Sequence, residues 1–295
     1  MNTIWSDFVQ STEELYQSRG LRFREDNQAC WLPLLQVKDG FRVLEVGCAG
    51  GVLLHRLKRF YPGIRAVGLD RDDGHIAYAR NKTRELGIAA DFVVGDALCL
   101  PFEEHTFDLC YSHTVMEFMG AAAFLREQHR VLKNGGTAVV LSVRSAIGRE
   151  SWLPPTGEEK ALLDRAWNAV EESGADANHF TSHPMAESDY PKAFEQAGFS
   201  DIDIQFAALT RYAPDSASVS PELALRQIEA ERLTATESAA KARRMCPDAL
   251  SEAEWRRLSD LTNARFDGRI ERYRRGEKVW DIAVSTVMAI SGKKQ

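Results

Sequence analysis

The segment Val43-Leu44-Glu45-Val46-Gly47-Cys48-Ala49-Gly50-Gly51 holds the residues best suited to ligand chemistry. Its glycines follow a β-rich run and open a helical one, Val52 to Phe60, so the backbone can approach a ligand closely at a strand's carboxyl end. Asp70 closes the next apolar run, with Arg71 beside it, where an acid reaches a ribose hydroxyl pair in nucleotide-binding folds. These two features fit NAD, FAD and S-adenosylmethionine alike. Gly95-Asp96-Ala97 ends a third run, where an aspartate can accept from an adenine amino group while the following amide donates to the ring. Ser112-His113-Thr114 lies at the end of a fourth run, at the same edge, with Glu117 just beyond. His179 and His183 have HxxxH spacing, yet their Thr-Ser-His-Pro context reads as loop, so no metal is expected.

The elements that must position these residues alternate in period from Arg42 to Val143, the pattern of βαβ units and a parallel sheet. Strands are predicted at Arg42 to Val46, Arg65 to Asp70, Asp91 to Val94, Phe107 to Ser112 and Thr137 to Val143. A helix stop is predicted in Leu132-Lys133-Asn134-Gly135-Gly136, with glycine supplying a left-handed cap. Helical periodicity returns at Glu158 to Glu172 and Glu187 to Ala197, followed by a short strand, Ile202 to Phe206. A charge-rich helical stretch from about Pro221 to Gly276 then leads to a last strand, Trp280 to Ile290. The expected fold is α/β: a Rossmann-like, mostly parallel seven-stranded sheet with helices on both faces. Residues 1–40 would form an N-terminal helical cap, 41–207 the core with substrate-side helices in 146–198, 208–279 a helical insertion serving as a substrate lid, and 280–295 the closing strand.

The chain has 295 residues, is 44% hydrophobic and carries a net charge of -6, the profile of an ordinary globular protein. That charge argues against whole-surface attraction to nucleic acid. Neither a membrane span nor a secretory leader is read from the chain, so the default expectation is cytoplasmic. Five cysteines without a CxxC pair suggest neither a disulfide framework nor a zinc site. The arginine clusters Arg243-Arg244, Arg256-Arg257 and Arg272 to Arg275 are interleaved with acids, which favours a solvated helical surface over an anion site.

Taken in order, Glu45 through Gly51, Asp70, Gly95-Asp96-Ala97 with Leu100-Pro101-Phe102, Phe107-Asp108, and Arg130-Val131-Leu132-Lys133-Asn134-Gly135-Gly136 resemble the successive motifs of class I S-adenosylmethionine-dependent methyltransferases. They are most similar to the small-molecule group that includes the ubiquinone and menaquinone biosynthesis enzymes. The chain departs from that pattern at Ala49, where glycine is frequent, and at Asn134, where proline is usual. The resemblance implies that Gly47, Ala49 and Gly51 meet the methionine moiety of S-adenosylmethionine, supported from beneath by Glu45, with Cys48 also among the cofactor-binding residues. It places Asp70 at the ribose hydroxyls and Asp96 with Ala97 at the adenine, and Arg71 among the cofactor-binding residues. In the related enzymes such an N-terminal segment often folds over the cofactor, and by that analogy Tyr16 and Arg22 come near its carboxylate; a plain amphipathic surface helix is the alternative reading.

Methyl transfer is a direct displacement at a sulfonium carbon, so alignment and water exclusion matter most and no metal is required. S-adenosylhomocysteine would be the product, and the partner a small-molecule acceptor for O-, N- or C-methylation. Where the acceptor needs a base, His113 is the first candidate and Glu117 the second; each also has a plain reading, His113 as a wall of the cofactor pocket and Glu117 as a solvated helix-start carboxylate. An NAD-dependent oxidoreductase, a cofactor-binding protein without turnover, and an RNA or protein methyltransferase stand as alternatives. The last lacks an Asn-Pro-Pro-Tyr or Asp-Pro-Pro-Tyr motif.

Overall fold

The computed structural model describes residues 11–144, 154–174 and 185–295. His179 and His183 lie outside the described residues. The chain forms two compact units: a sheet unit of Phe23–Ala146, Ser182–Leu209 and Ser285–Gln295, and a helical unit of Met1–Arg22, Ile147–Thr181 and Thr210–Val284. The N-terminal segment is thus shared between them at Arg22 and Phe23.

The sheet consists of strands β1 (Arg42–Val46), β2 (Arg65–Asp70), β3 (Asp91–Val94), β4 (Phe107–His113), β5 (Leu132–Arg144), β6 (Phe199–Tyr212) and β7 (Ala283–Lys294), in the order β3-β2-β1-β4-β5-β7-β6. Strands β1 to β5 pair in parallel, and β7 lies antiparallel to β5. The expected seven-stranded, mostly parallel sheet is therefore present. Its inner strands β1, β2 and β4 bury both faces, as parallel strands sheathed in helices must. On one face Val43, Leu109, Tyr111 and Val139 pack with Trp31 of α2 (Gln28–Trp31), Leu53, Leu54 and Leu57 of α3 (Val52–Phe60) and Ile76 of α4 (Asp73–Glu85). On the other, Leu44, Val46, Cys110 and Val140 pack with Phe124 and Leu125 of α5 (Ala121–Val131) and Phe194 of α7 (Asp189–Gln196).

The first three strands coincide with their predicted limits, and β4 extends one residue further, taking in His113. The predicted helix stop is corrected. Helix α5 ends at Val131, and Leu132 is already extended and paired with Phe107. The register then shifts so that Leu109 meets Thr137, and Gly135, at φ +78°, absorbs the irregularity inside the strand rather than capping the helix. The short strand predicted at Ile202 is also longer, because β6 runs fourteen residues.

In the helical unit, α1 (Thr12–Arg22) packs on α8 (Pro221–Met245), and α6 (Gly157–Ser173) and α9 (Glu252–Arg274) complete it. The single charged stretch of the sequence is two helices, broken where Cys246-Pro247 leads into a one-turn 3-10 helix and Ser251 with Glu254 forms a capping box for α9. Leu162, Ala166 and Val170 of α6 meet Ala242, Trp255 and Leu258, forming this unit's own apolar cluster. Its arginine clusters are paired with acids: Arg243 with Glu252, Arg257 with Glu158, Arg272 and Arg275 with Glu277. Trp280, placed at the start of the last strand by its sequence, instead adopts φ +59°. Asp281 turns inward to take the fully buried guanidinium of Arg269 and the hydroxyl of Tyr212. Strand β7 begins only after these contacts. No described helix is long and apolar enough to cross a membrane.

Candidate cofactor and acceptor site

The carboxyl ends of β1 to β4 bring together Glu45, Gly47, Cys48, Ala49, Gly51, Asp70, Arg71, Asp96, Ala97, His113 and Glu117. The turn after β1 is tied down by its own backbone: the amides of Gly47 and Cys48 both donate to the Leu69 carbonyl, at 2.7 and 2.9 Å, and Gly51 N–H donates to the Cys48 carbonyl at 2.9 Å. Two of its glycines are required on independent grounds. Gly47 has φ +73°, and a Cβ there would lie 2.4 Å from Val115 Cγ2; Gly51 has φ +79°, and its Cβ would lie 2.7 Å from the Phe92 ring. Both conformations disfavour L side chains, and neither position has room for one. Ala49 also adopts a left-handed conformation, φ +46°, so the one departure from glycine in this turn sits where glycine would be freer.

Asp70 closes the turn from the next strand. Its Oδ2 accepts from Ala49 N–H at 2.8 Å and its Oδ1 from Asp72 N–H at 3.0 Å. A carboxylate has about four lone-pair sites, so two remain for a ligand's hydroxyls. Asp72 then caps α4 by accepting from His75 N–H at 3.2 Å, which anchors the segment that carries exposed Arg71. At the end of β3, Asp96 is exposed and its Oδ1 accepts from Leu98 N–H at 2.9 Å, a tight turn that also buries Ala97. Glu45 is buried beneath the glycine turn, across from Tyr111 on β4. Burial first, and then the charge of Glu45, push the Tyr111 hydroxyl well above the usual phenol range, so it stays protonated beside that carboxylate.

His113 is almost wholly buried, and Phe23 packs against it edge to face with ring centroids 5.0 Å apart. Glu117 lies on the 3-10 turn Met116–Phe118. Ser142 of β5 donates to its Oε1, and Tyr190 of α7 donates to the same oxygen at 3.2 Å. Neither Ser142 nor Tyr190 stood out in the sequence. Ser142 could have been found as a polar residue within an apolar strand, whereas Tyr190 reaches the site across 73 residues of sequence. Tyr16 and Arg22 lie on α1, in the helical unit. Burial, aided by Arg211 and Arg19, lowers the Arg22 guanidinium to about 9. Among the described residues no group of three or more His, Cys, Asp or Glu side chains could hold a metal ion.

The remaining motif residues hold the frame. Asp108 accepts from Arg42 N–H and from Lys133 Nζ, both at 2.8 Å, joining the starts of β1, β4 and β5. Arg130 donates to the carbonyls of Phe102 and Leu100 and pairs with Glu127, which in turn accepts from Leu100 N–H at 2.8 Å. This fixes the loop that follows Asp96.

Residues 43–136, which carry all of these turns, match the family described as "Methyltransferase domain". A demethylmenaquinone methyltransferase of Roseiflexus castenholzii is 30% identical over 178 residues, 57% of this chain and 71% of that protein. The chain belongs to the class I S-adenosylmethionine-dependent methyltransferase family. Ajmaline N-methyltransferase of Rauvolfia serpentina is 32% identical over 133 residues, 44% of this chain, and the match spans only 45% of that protein's length. In fold, the chain is similar to Haemonchus contortus phosphoethanolamine N-methyltransferase 2, solved with S-adenosyl-L-methionine: TM-score 0.55 at 15% identity, covering 98% of this chain and 59% of that one. The residues matched by the methyltransferase domain, 43–136, carry the sheet unit's motifs, and Ser142 and Tyr190 lie outside that match.

Proposed function

We propose that the protein transfers a methyl group from S-adenosylmethionine to a small-molecule acceptor by in-line displacement. The observation that carries this reading is the cradle itself. Gly47 and Gly51 are held in conformations and contacts that exclude side chains, and Asp70 and Asp96 stand at the ends of the next two strands. Such a turn suits the methionine part of the cofactor, with Cys48 and Ala49 beside it and buried Glu45 beneath. Asp70, with Arg71 adjacent, would take the ribose hydroxyls, and Asp96 with Ala97 the adenine. When bound, S-adenosylmethionine supplies an electrophilic methyl on a sulfonium centre. The chain's own groups then have to bind, orient and exclude water. Buried His113, braced by Phe23, serves in this reading as a wall of the pocket.

The relatives named as a demethylmenaquinone methyltransferase and an ajmaline N-methyltransferase support a small organic acceptor. The test is a calorimetric titration with S-adenosylhomocysteine and, separately, with NADH. Binding of S-adenosylhomocysteine alone is the expected result; binding of NADH alone sinks the reading.

A further inference from the structure

Glu117 has an arrangement that the cofactor site does not explain. Its turn follows directly from Val115, the residue that closes over Gly47, so Glu117 stands two residues along the chain from the wall of the cradle. Oε1 accepts twice, from Ser142 Oγ and Tyr190 Oη, and these two hydroxyl oxygens lie 3.1 Å apart. Burial, with the charge of Glu117 contributing, raises the Tyr190 hydroxyl above the usual phenol range and keeps it a donor. Oε2 is buried and has no hydrogen-bond partner among the described residues. A buried carboxylate oxygen without a donor is costly to keep, so an arrangement that fills Oε1 and leaves Oε2 bare is organised for a donor brought by a ligand.

The surroundings select the kind of donor. Arg144 stacks on the ring of Tyr190, 4.7 Å from its centroid, donates to the Met185 carbonyl at 3.2 Å and lies 3.5 Å from Glu187. Beside Tyr190 the Arg144 charge offsets part of the pull that Glu117 would exert on an ammonium group, and it stabilises an acceptor oxygen as that oxygen gains negative charge. We propose that Glu117, held by Ser142 and Tyr190, receives the proton of a phenolic or enolic hydroxyl on the methyl acceptor. Ser142 and Tyr190 are positioning residues. This inference rests on the methyl-transfer reading and deepens it. The acceptor's O–H proton passes to Glu117 Oε2; an oxygen lone pair forms the O–CH3 bond as the C–S bond breaks, and the C–S electron pair stays on sulfur. A sulfonium and a carboxylate become a neutral thioether and a carboxylic acid.

Glu117→Gln tests the assignment. Ser142 and Tyr190 will orient the amide oxygen toward themselves, leaving an NH2 where Oε2 stood, and a hydroxyl donor then meets a donor. The probes are phenol, anisole and benzylamine, titrated by calorimetry into protein saturated with S-adenosylhomocysteine. Phenol should bind the wild type more tightly than benzylamine. In Glu117→Gln its affinity should fall at least tenfold, while anisole and S-adenosylhomocysteine bind both proteins equally within twofold. Should that variant fail to fold, Tyr190→Phe keeps the ring under Arg144 and removes one donor to Glu117; phenol affinity should drop about threefold, with anisole unchanged. Equal phenol affinity in the variants, a wild-type preference for benzylamine, or no phenol binding overturns the proposal. Failure of S-adenosylhomocysteine to bind the wild type, seen in the first titration, overturns instead the reading beneath it.

Discussion

Replacing Gly47 by alanine adds one methyl group, and its cost divides into two parts. The backbone at φ +73° is left-handed, which for an L-residue costs about 1–2 kcal/mol. The new Cβ would lie 2.4 Å from Val115 Cγ2 and 3.1 Å from Cγ1, a severe overlap whose relief by local shifts costs about 1–3 kcal/mol. The total is about 2–5 kcal/mol. Val115→Ala removes both opposing methyls, so the double variant should retain only the backbone part. The two substitutions should therefore couple favourably by about 1–3 kcal/mol in a double-mutant cycle. Thermal unfolding followed by circular dichroism reads the single variant as a fall of roughly 4–20 °C, at about 2–4 °C per kcal/mol. Urea midpoints supply the free energies for the cycle. Strict additivity of the two substitutions would refute the steric half of the argument, and an unchanged melting temperature in Gly47→Ala would refute both.

Ala49→Gly relieves a left-handed alanine but loosens the unfolded chain, and should stabilise the protein by about 0.5–1 kcal/mol; a lower urea midpoint would count against the conformation assigned to Ala49. Asp70→Ala strips the amides of Ala49 and Asp72 of their acceptor, so the ligand-free protein should lose about 1–3 kcal/mol of stability, and S-adenosylhomocysteine affinity should fall by a similar amount. Unchanged values in both measurements would remove Asp70 from the site. His55, on α3, is pushed down to about 4, first by burial and then by Arg59, Lys82 and Arg56. Because the unfolded histidine titrates near 6.5, the unfolded chain takes the proton first, so this contribution is complete above that pH and is lost as pH falls toward 4. By pH 5 the loss should reach about 2 kcal/mol. Comparing urea midpoints at pH 7.5 and pH 5 checks this, since His55→Gln should flatten the difference and an equal slope in the variant would show that other groups dominate.

The legible part of this protein lies where chemistry and local geometry coincide. Strands β1, β2 and β3 could be placed to the residue because buried parallel strands are near-continuous apolar runs bounded by turn residues. The glycine turn and Asp70 were readable because a left-handed backbone and a strand-end acid leave marks in residue type. The stop after α5 misled for the opposite reason. Glycine at 135 satisfies a helix cap and a strand bulge equally, and only the pairing of Leu132 with Phe107 decides between them. Likewise Trp280 and Asp281 look like strand, and the buried Arg269 draws Asp281 out of it.

What the amino-acid sequence alone determined was the order of βα units, the cradle at the end of β1 and the acids that follow it, since each is encoded within a few residues of itself. Tertiary structure alone decided that Val115 presses on Gly47, that Phe23 braces His113, and that Ser142 and Tyr190 converge on Glu117. Those contacts join residues on separate elements, and side-chain reach between elements depends on how the sheet and its helices pack, which no local pattern records.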